Sequence, residues 1–156
     1  MSFTVYSFKD LSGVFSSPLI GTLNIGSTFS SNGIGQITIH MTNDNTIHDV
    51  SVDGGIIIWP VAAFNGSITI QCQQTSDVHK FLLNWFNNLK VNMISISNQD
   101  VSNWANSAMF LRNINDGTTH TITGISPQIQ PDKTYSSQGG SVTWNLLAGN
   151  IENNTQ

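Results

Sequence analysis

One short segment of the chain combines residue types that can do acid–base or nucleophilic chemistry. Cys72 is followed by Ser76, Asp77 and His79. A thiol paired with an imidazole is a way to activate a nucleophile, so a small hydrolase that uses Cys72 and His79 is one hypothesis. A structural interpretation competes with it. Ser76 can cap a helix, Asp77 suits the positive end of the helix dipole, and Cys72 lies in an alternating run as a small buried side chain.

A second group of polar residues, His48, Asp49 and Asp53, is compatible with a metal or acid–base site only if the side chains converge. Adjacent residues on a strand point to opposite faces, so His48 and Asp49 diverge. The segment Gly33–Gly35 begins a dinucleotide-type glycine motif, but Thr38 stands where the third glycine belongs. We therefore predict no catalytic residue, no cofactor and no bound metal.

Ser76, Asp77 and His79 are positioned by a predicted helix over about residues 76–90. Apolar side chains recur there at helical spacing and define one face. Its predicted core anchors are Phe81, Leu82, Trp85 and Leu89. Side chains of this size need a broad apolar surface against which to pack, and only a β-sheet built from the remaining chain can supply one.

The rest of the chain shows strand-like alternation broken by turn residues. A turn is expected near Asp10–Gly13, and Asn65-Gly66 predicts a hairpin that joins the strand before it to the strand after it. About eight strands with one helix predict a mainly β fold, an antiparallel β-sandwich or barrel with a flanking helix. The predicted strands are a first pair within residues 1–15, on either side of the Asp10–Gly13 turn, and segments 36–41, 46–53, 56–61, 67–73, 108–114, 119–125 and 141–147.

Composition favours one domain, 1–156, that associates with copies of itself. Charged residues make up only 9% of the 156-residue chain, whereas about 25% is usual for a soluble domain. Five scattered Lys and Arg residues and a net charge of −4 argue against binding to nucleic acid by charge neutralisation. No apolar run has the length of a membrane span, so no membrane partner is expected.

Two segments are predicted to be irregular. Residues 16–35 are rich in Gly and Ser with singly spaced apolar residues, which favours an extended loop that becomes ordered against a neighbour. Residues 149–156 form a polar C-terminal tail that is expected to fray or to pair with a neighbour.

Three stretches of the sequence resemble one family of phage structural proteins. They are Ser67–Trp85 (SITIQCQQTSDVHKFLLNW), Thr46–Gly54 (TIHDVSVDG) and Tyr6–Asp10 (YSFKD). The chain is similar to the tail tube (inner tube) proteins of contractile-tailed bacteriophages and phage-like bacteriocins, over about residues 3–90. The resemblance implies an antiparallel β-sandwich with a flanking helix and a place in the virion tail, after assembly in the host cytoplasm.

The resemblance also implies partners. These are copies of the chain itself, as stacked homohexameric rings; a tail sheath protein outside; and tape-measure protein and DNA inside the lumen. Contacts between rings are expected from the 16–35 loop, with candidates Leu19, Leu23, Ile25 and Phe29. A carbohydrate- or receptor-binding β-sandwich of a tail tip is the alternative, since the chain has four Trp residues.

A ring of sheets turns one face of a strand toward its bore. Thr46–Asp53 is the predicted bore strand, because alternation places polar residues on one face while His48, Val50 and Val52 join the core. The candidate lumen-lining residues are Asp44, Asp49, Ser51 and Asp53. Ring symmetry would multiply these carboxylates into acidic rings that repel DNA phosphates.

Overall fold

The computed structural model describes residues 11–26, 34–94 and 103–155. These residues form ten strands, one α-helix (α1, Asp77–Ile94) and a short 3-10 helix at Asn103–Ala105. The strands are β1 Leu11–Ser17, β2 Gly21–Gly26, β3 Ile34–Met41, β4 Thr46–Val50, β5 Ile56–Pro60, β6 Gly66–Gln73, β7 Ser107–Asn113, β8 Thr119–Ile129, β9 Ser141–Ala148 and β10 Asn150–Asn154.

Eight strands form one antiparallel sheet in the order β2-β1-β7-β8-β9-β6-β3, with β10 also paired to β8. Strand β8 belongs to both halves of this sheet. Its first part pairs with β7 and β10, and its last part pairs with β9. Gly124 lies near the end of the first part, two residues before the segment that pairs with β9, and has a φ of 68°, a conformation that favours glycine. The mainly β, sandwich-like prediction with one helix is confirmed.

The core fills the space between the two halves of the sheet and is closed by α1. Phe15 on β1 meets Trp85 of the helix edge-to-face, with ring centroids 5.2 Å apart. Trp144 on β9 lies against Phe86 from the other side. Leu82, Trp85 and Leu89 are buried and Phe81 is half-buried. The helix therefore packs on the inner side of both halves of the sheet.

The helix begins where the capping pattern predicts. The Ser76 hydroxyl accepts a hydrogen bond from the His79 N–H at 3.2 Å and donates to the Gln73 carbonyl at 2.6 Å. Ser76 thus satisfies one of the free N–H groups of the first turn. The helix runs four residues beyond the predicted end at 90, to Ile94.

Several strand boundaries differ from the sequence predictions. Leu11–Gly13 are strand residues rather than a turn, because all three pair with β7 and the last two also pair with β2; Asp10 lies outside the described residues. Half of the predicted 16–35 loop is the β1–β2 hairpin, while residues 27–33 lie outside the described part. The predicted tail is strand β10, in which Ile151 is buried and pairs with Ile122 of the same chain.

The hairpin predicted at Asn65-Gly66 is wrong. Gly66 is the first residue of β6, which pairs with β3 and β9, whereas β5 pairs with β4. A Cβ on Gly66 would lie 2.1 Å from the His40 carbonyl oxygen, so only glycine fits between these strands. Close packing rather than turn geometry requires glycine here.

Candidate assembly surfaces

The β4–β5 hairpin forms a two-stranded sheet of its own beside the eight-stranded one. Every residue of both strands is exposed. Yet most of these side chains are large and apolar, and Ile58 is 62% and Trp59 54% exposed. Large exposed apolar patches mark sites where a protein meets another surface.

Both faces of this hairpin are apolar. Directly paired residues share a face, which places Ile47 with Trp59 and His48 with Ile58 on opposite sides. One face carries His48, Val50, Ile56 and Ile58, and the other carries Ile47, Asp49, Ile57 and Trp59. Each face thus needs a separate apolar surface to cover it.

Polar contacts hold both ends of the hairpin. At its base, the Asn45 side-chain amide donates to the Val61 carbonyl at 3.0 Å and the Ala63 carbonyl at 3.2 Å. At its tip, Asp53 accepts hydrogen bonds from the Ser51 hydroxyl and from the Gly55 N–H. These bonds, the Ser51 one foremost, lower the pKa of the Asp53 carboxyl. The hairpin is thus presented in a fixed shape.

The strand geometry from which the bore-lining residues were predicted differs from the geometry in the structure. Strand β4 ends at Val50, and Ser51 and Asp53 belong to the turn. Asp49 shares its face with Ile47, Ile57 and Trp59, so that face is not wholly polar. The expectation that His48, Val50 and Val52 join the core is wrong, because all three are exposed. Asp44 is exposed in the turn before β4.

The predicted ring-contact residues lie in three settings. Ile25 is 1% exposed and belongs to the protein's own core. Leu19 and Leu23 are half-buried beside that core. Phe29 lies outside the described residues. A role between rings stays a prediction for Leu19 and Leu23, whereas Ile25 is committed to the interior of its own chain.

The residues with catalytic potential do not assemble into a reactive pair. Nδ1 of His79 is occupied by a hydrogen bond from Trp144. Cys72 is 1% exposed, and burial raises the pKa of its thiol. No group of three or more potential metal ligands occurs among the described residues. In the same part of the chain, no helix is long and apolar enough to cross a membrane.

Charge is distributed unevenly over the described surface. The carboxylates Asp44, Asp49 and Asp53 surround the hairpin, and Asp77, Lys80 and Lys90 are exposed on the helix. Arg112 and Glu152 lie on the outward side of β7 and β10. Strands β3, β6 and β9, which are neighbours in the sheet, contain no Asp, Glu, Lys or Arg. The pattern emerges only from the pairing of these three strands, which are far apart in the sequence.

Solved structures with the same architecture are components of contractile injection systems. The chain aligns over 99% of its length, and 93% of the other chain, with a structure from the "PVC sheath-tube complex in extended state" of an extracellular contractile injection system, at TM-score 0.55 and 12% identity. A chain from the anti-feeding prophage baseplate aligns over 99% and 98%, at TM-score 0.58 and 17% identity. The anti-feeding prophage tube-terminating cap aligns over 100% and 94%, at TM-score 0.57 and 10% identity.

These likenesses show a fold shared with chains from a sheath–tube complex, a baseplate and a tube-terminating cap. The family follows from the sequence: residues 3–155 match the model of the "Bacteriophage PhiTE tail tube protein". The chain belongs to this family of phage tail tube proteins, which confirms the family predicted from three short stretches. No curated protein sequence matches the chain.

Proposed function

We propose that the chain is a non-enzymatic structural subunit that forms hexameric rings, and that these rings stack into the inner tube of a contractile tail. The tube is a conduit for DNA during ejection. A sheath protein surrounds it, and tape-measure protein occupies it before DNA does. Family membership supports a tail tube role, and the fold shared with a chain from a sheath–tube complex supports a contractile setting.

The observation that carries the proposal is the β4–β5 hairpin, which is apolar on both faces. A lone two-stranded hairpin is marginally stable in water, and burial contributes about 25 cal/mol per Å² of apolar surface. Neighbouring copies of the same chain can cover both faces at once if each hairpin inserts between subunits. A chain with 9% charged residues is also suited to being covered on several sides.

The test is polymerisation of the purified protein, viewed by negative-stain electron microscopy. The wild-type chain is expected to give long hollow tubes with six-fold end views. Ile57→Asn should remain folded but fail to polymerise, because it removes one of the three large apolar side chains of its face and adds a second polar side chain beside Asp49. Ile114→Asn is the matched control, since Ile114 is 55% and Ile57 54% exposed and only Ile57 lies on the hairpin.

Two results would count against the proposal in different ways. If the wild-type chain elutes as a compact monomer or trimer at high concentration, tube formation is contradicted and a tail-tip binding module is favoured. If Ile57→Asn forms tubes equally well, the hairpin is not the contact between subunits, but the proposal that the chain forms a tube still stands. The sugar-binding alternative is left with one of the four tryptophans, since Trp85 and Trp144 are buried and Trp104 is half-buried, whereas Trp59 on the hairpin is 54% exposed.

The absence of enzymatic activity is proposed on chemical grounds. Cys72 is buried and its thiol is held in the protonated form by burial, whereas a nucleophilic cysteine needs the exposed thiolate. The His79 imidazole accepts a hydrogen bond from an indole and so has no free basic nitrogen at Nδ1. Neither group is arranged to activate the other.

A further inference from the structure

The outward side of β3, β6 and β9 is a continuous surface without Asp, Glu, Lys or Arg. Its one ionisable side chain is the exposed imidazole of His40, which pairs with Ser67. Side chains that point away from the helix meet across the strands: Thr38 pairs with Thr69, and Gln71 pairs with Gln36 on one side and Thr143 on the other. Thr69 also donates a hydrogen bond to the Asn145 side chain at 3.3 Å. We refer to this surface, represented by Thr38, Thr69, Gln71, Thr143 and Asn145, as the neutral sheet face.

The absence of charge is a property of this face and not of the whole described surface. The helix, the hairpin and the outward side of β7 and β10 each carry charged side chains. The loop after β8 carries Asp132, which borders the neutral sheet face beside β9. A surface covered mainly by amide and hydroxyl groups keeps its hydration while offering no fixed charge to an approaching ion.

We propose that the neutral sheet face lines the bore of the tube and is the surface past which double-stranded DNA moves. This inference rests on the proposed function and adds which face points inward and why its composition matters. It replaces the acidic hairpin residues as the lining of the bore.

The physical reason lies in how DNA responds to a charged wall. A lysine-lined wall would bind phosphates with release of counterions and would hold the duplex. Carboxylates would repel the duplex within a Debye length of about 8 Å at physiological salt. Amide and hydroxyl groups provide hydrogen bonds that exchange readily with water, so neither strong attraction nor strong repulsion arises. Ring symmetry repeats each side chain around the bore, which magnifies the effect of any single charge.

The first experiment locates the face by thiol labelling of assembled tubes. Thr143→Cys is expected to react with a small maleimide that diffuses through the bore but not with a maleimide coupled to a large polyethylene glycol. Asn87→Cys, on the exposed side of the helix, is the matched control and should react with both reagents. Wild-type tubes supply the blank, because their single cysteine is buried.

Several outcomes of the labelling would overturn the inference. If Thr143→Cys reacts with both reagents, the face lies outside. If Thr143→Cys and Gln71→Cys both block polymerisation while Asn87→Cys does not, the face is a contact between subunits. If the wild-type chain forms no tubes at all, the proposed function fails first, and that failure is visible before any labelling.

The second experiment tests the identity of the occupant with a short fluorescent DNA duplex. Tubes of Gln71→Lys should retain duplex that a nuclease too large for the bore cannot digest, and wild-type tubes should retain little. If about six phosphates are contacted, the affinity of Gln71→Lys tubes for the duplex should fall about 10³-fold between about 50 and 200 mM salt. Asn87→Lys is the control for binding to the outside, where the nuclease removes the DNA.

The result of this second experiment separates the two candidate linings. Protected DNA in Asp44→Lys tubes but not in Gln71→Lys tubes would restore the acidic residues around the hairpin as the lining, since Asp44 is exposed in the turn before β4 and lies outside the paired strands. If Gln71→Lys tubes protect no DNA although Thr143 proves to be enclosed, the bore admits a thinner chain, such as a polypeptide, and the assignment to DNA is overturned.

Discussion

The indole Nε1–H of Trp144 donates a hydrogen bond to Nδ1 of His79 across 3.1 Å, and both side chains are buried. This contact joins α1 to β9. It also fixes the imidazole as the neutral tautomer with its proton on Nε2, since Nδ1 must accept. Nε2 has no hydrogen-bond partner among the described residues. A second proton would set two donors against each other in an apolar environment.

The first prediction is that acid weakens the fold through His79. Burial lowers the pKa of His79 below its usual 6.5, with Lys133 adding to the effect. As the pH falls below about 6.5, the unfolded chain takes up a proton that the folded chain resists, so the free energy of unfolding decreases until the folded pKa is reached. The stabilising contribution is complete above the unfolded pKa. Asp77 and Lys80 flank His79 on the same helix, and both are exposed.

The measurement is denaturant unfolding of wild type and His79→Gln from pH 8 to pH 5. Gln is neutral throughout and keeps an acceptor for the indole. The stability advantage of wild type should shrink with falling pH, by at most about 1.4 kcal/mol per pH unit for one proton. Parallel curves for the two proteins would show that His79 does not titrate in this way.

The second prediction concerns Trp85, which is fully buried and donates a hydrogen bond to the Ser107 hydroxyl at 2.8 Å. Trp85→Ala should lower the free energy of unfolding by about 3–5 kcal/mol, because a large cavity opens between the helix and the sheet. Trp59→Ala is the matched control, as Trp59 is 54% exposed on the hairpin. Equal melting temperatures for the two variants would contradict the position of the helix.

The third prediction concerns the close approach of β6 to its neighbours. Gly66→Ala would push a methyl group against the His40 carbonyl and the Ile151 side chain, with a cost of about 1–3 kcal/mol or more. Gly139→Ala should leave the melting temperature nearly unchanged, because nothing lies within 4 Å of an added Cβ there. Thermal unfolding of both variants checks the difference. A tolerant Gly66 would mean that β3 and β6 are farther apart than the structure indicates.

The fourth prediction concerns the thiol. Native protein should not react with a thiol reagent at pH 7, because Cys72 is 1% exposed and its pKa is raised by burial. The same protein in denaturant should react to one equivalent, since the chain has one cysteine. Mass spectrometry before and after labelling gives the count. Rapid labelling of the native protein would revive the hydrolase hypothesis.

Local patterns predicted the elements better than their pairing. The helix was predictable because Leu82, Trp85 and Leu89 recur at helical spacing, and the cap at Ser76 marks its beginning. The strand that pairs with β5 was not predictable from the sequence. A dipeptide such as Asn65-Gly66 is equally compatible with a hairpin turn and with the close approach of two strands. Pairing over long sequence distances, such as Ile70 with Trp144, leaves no local trace.

The hairpin was misread for a different physical reason. Ile56–Trp59 is a continuous apolar run, which is typical of a strand buried on both faces. Within one chain this implies the core, but among the described residues the other elements leave both strands of the hairpin exposed. Val50 and Val52 were assigned to the core because alternation sets them on the face opposite Asp49, Ser51 and Asp53. An apolar strand that the other elements of its own chain do not cover indicates a surface that contacts another molecule.

Strand β8 gives the protein a mechanical property. Because the same eleven-residue strand pairs with β7 and β10 at one end and with β9 at the other, the two halves of the sheet are joined by covalent bonds along the strand as well as by packing. A force that pulls one half sideways is therefore carried through the backbone at Gly124 into the other half. The two halves cannot slide apart under load while β8 stays paired at both ends.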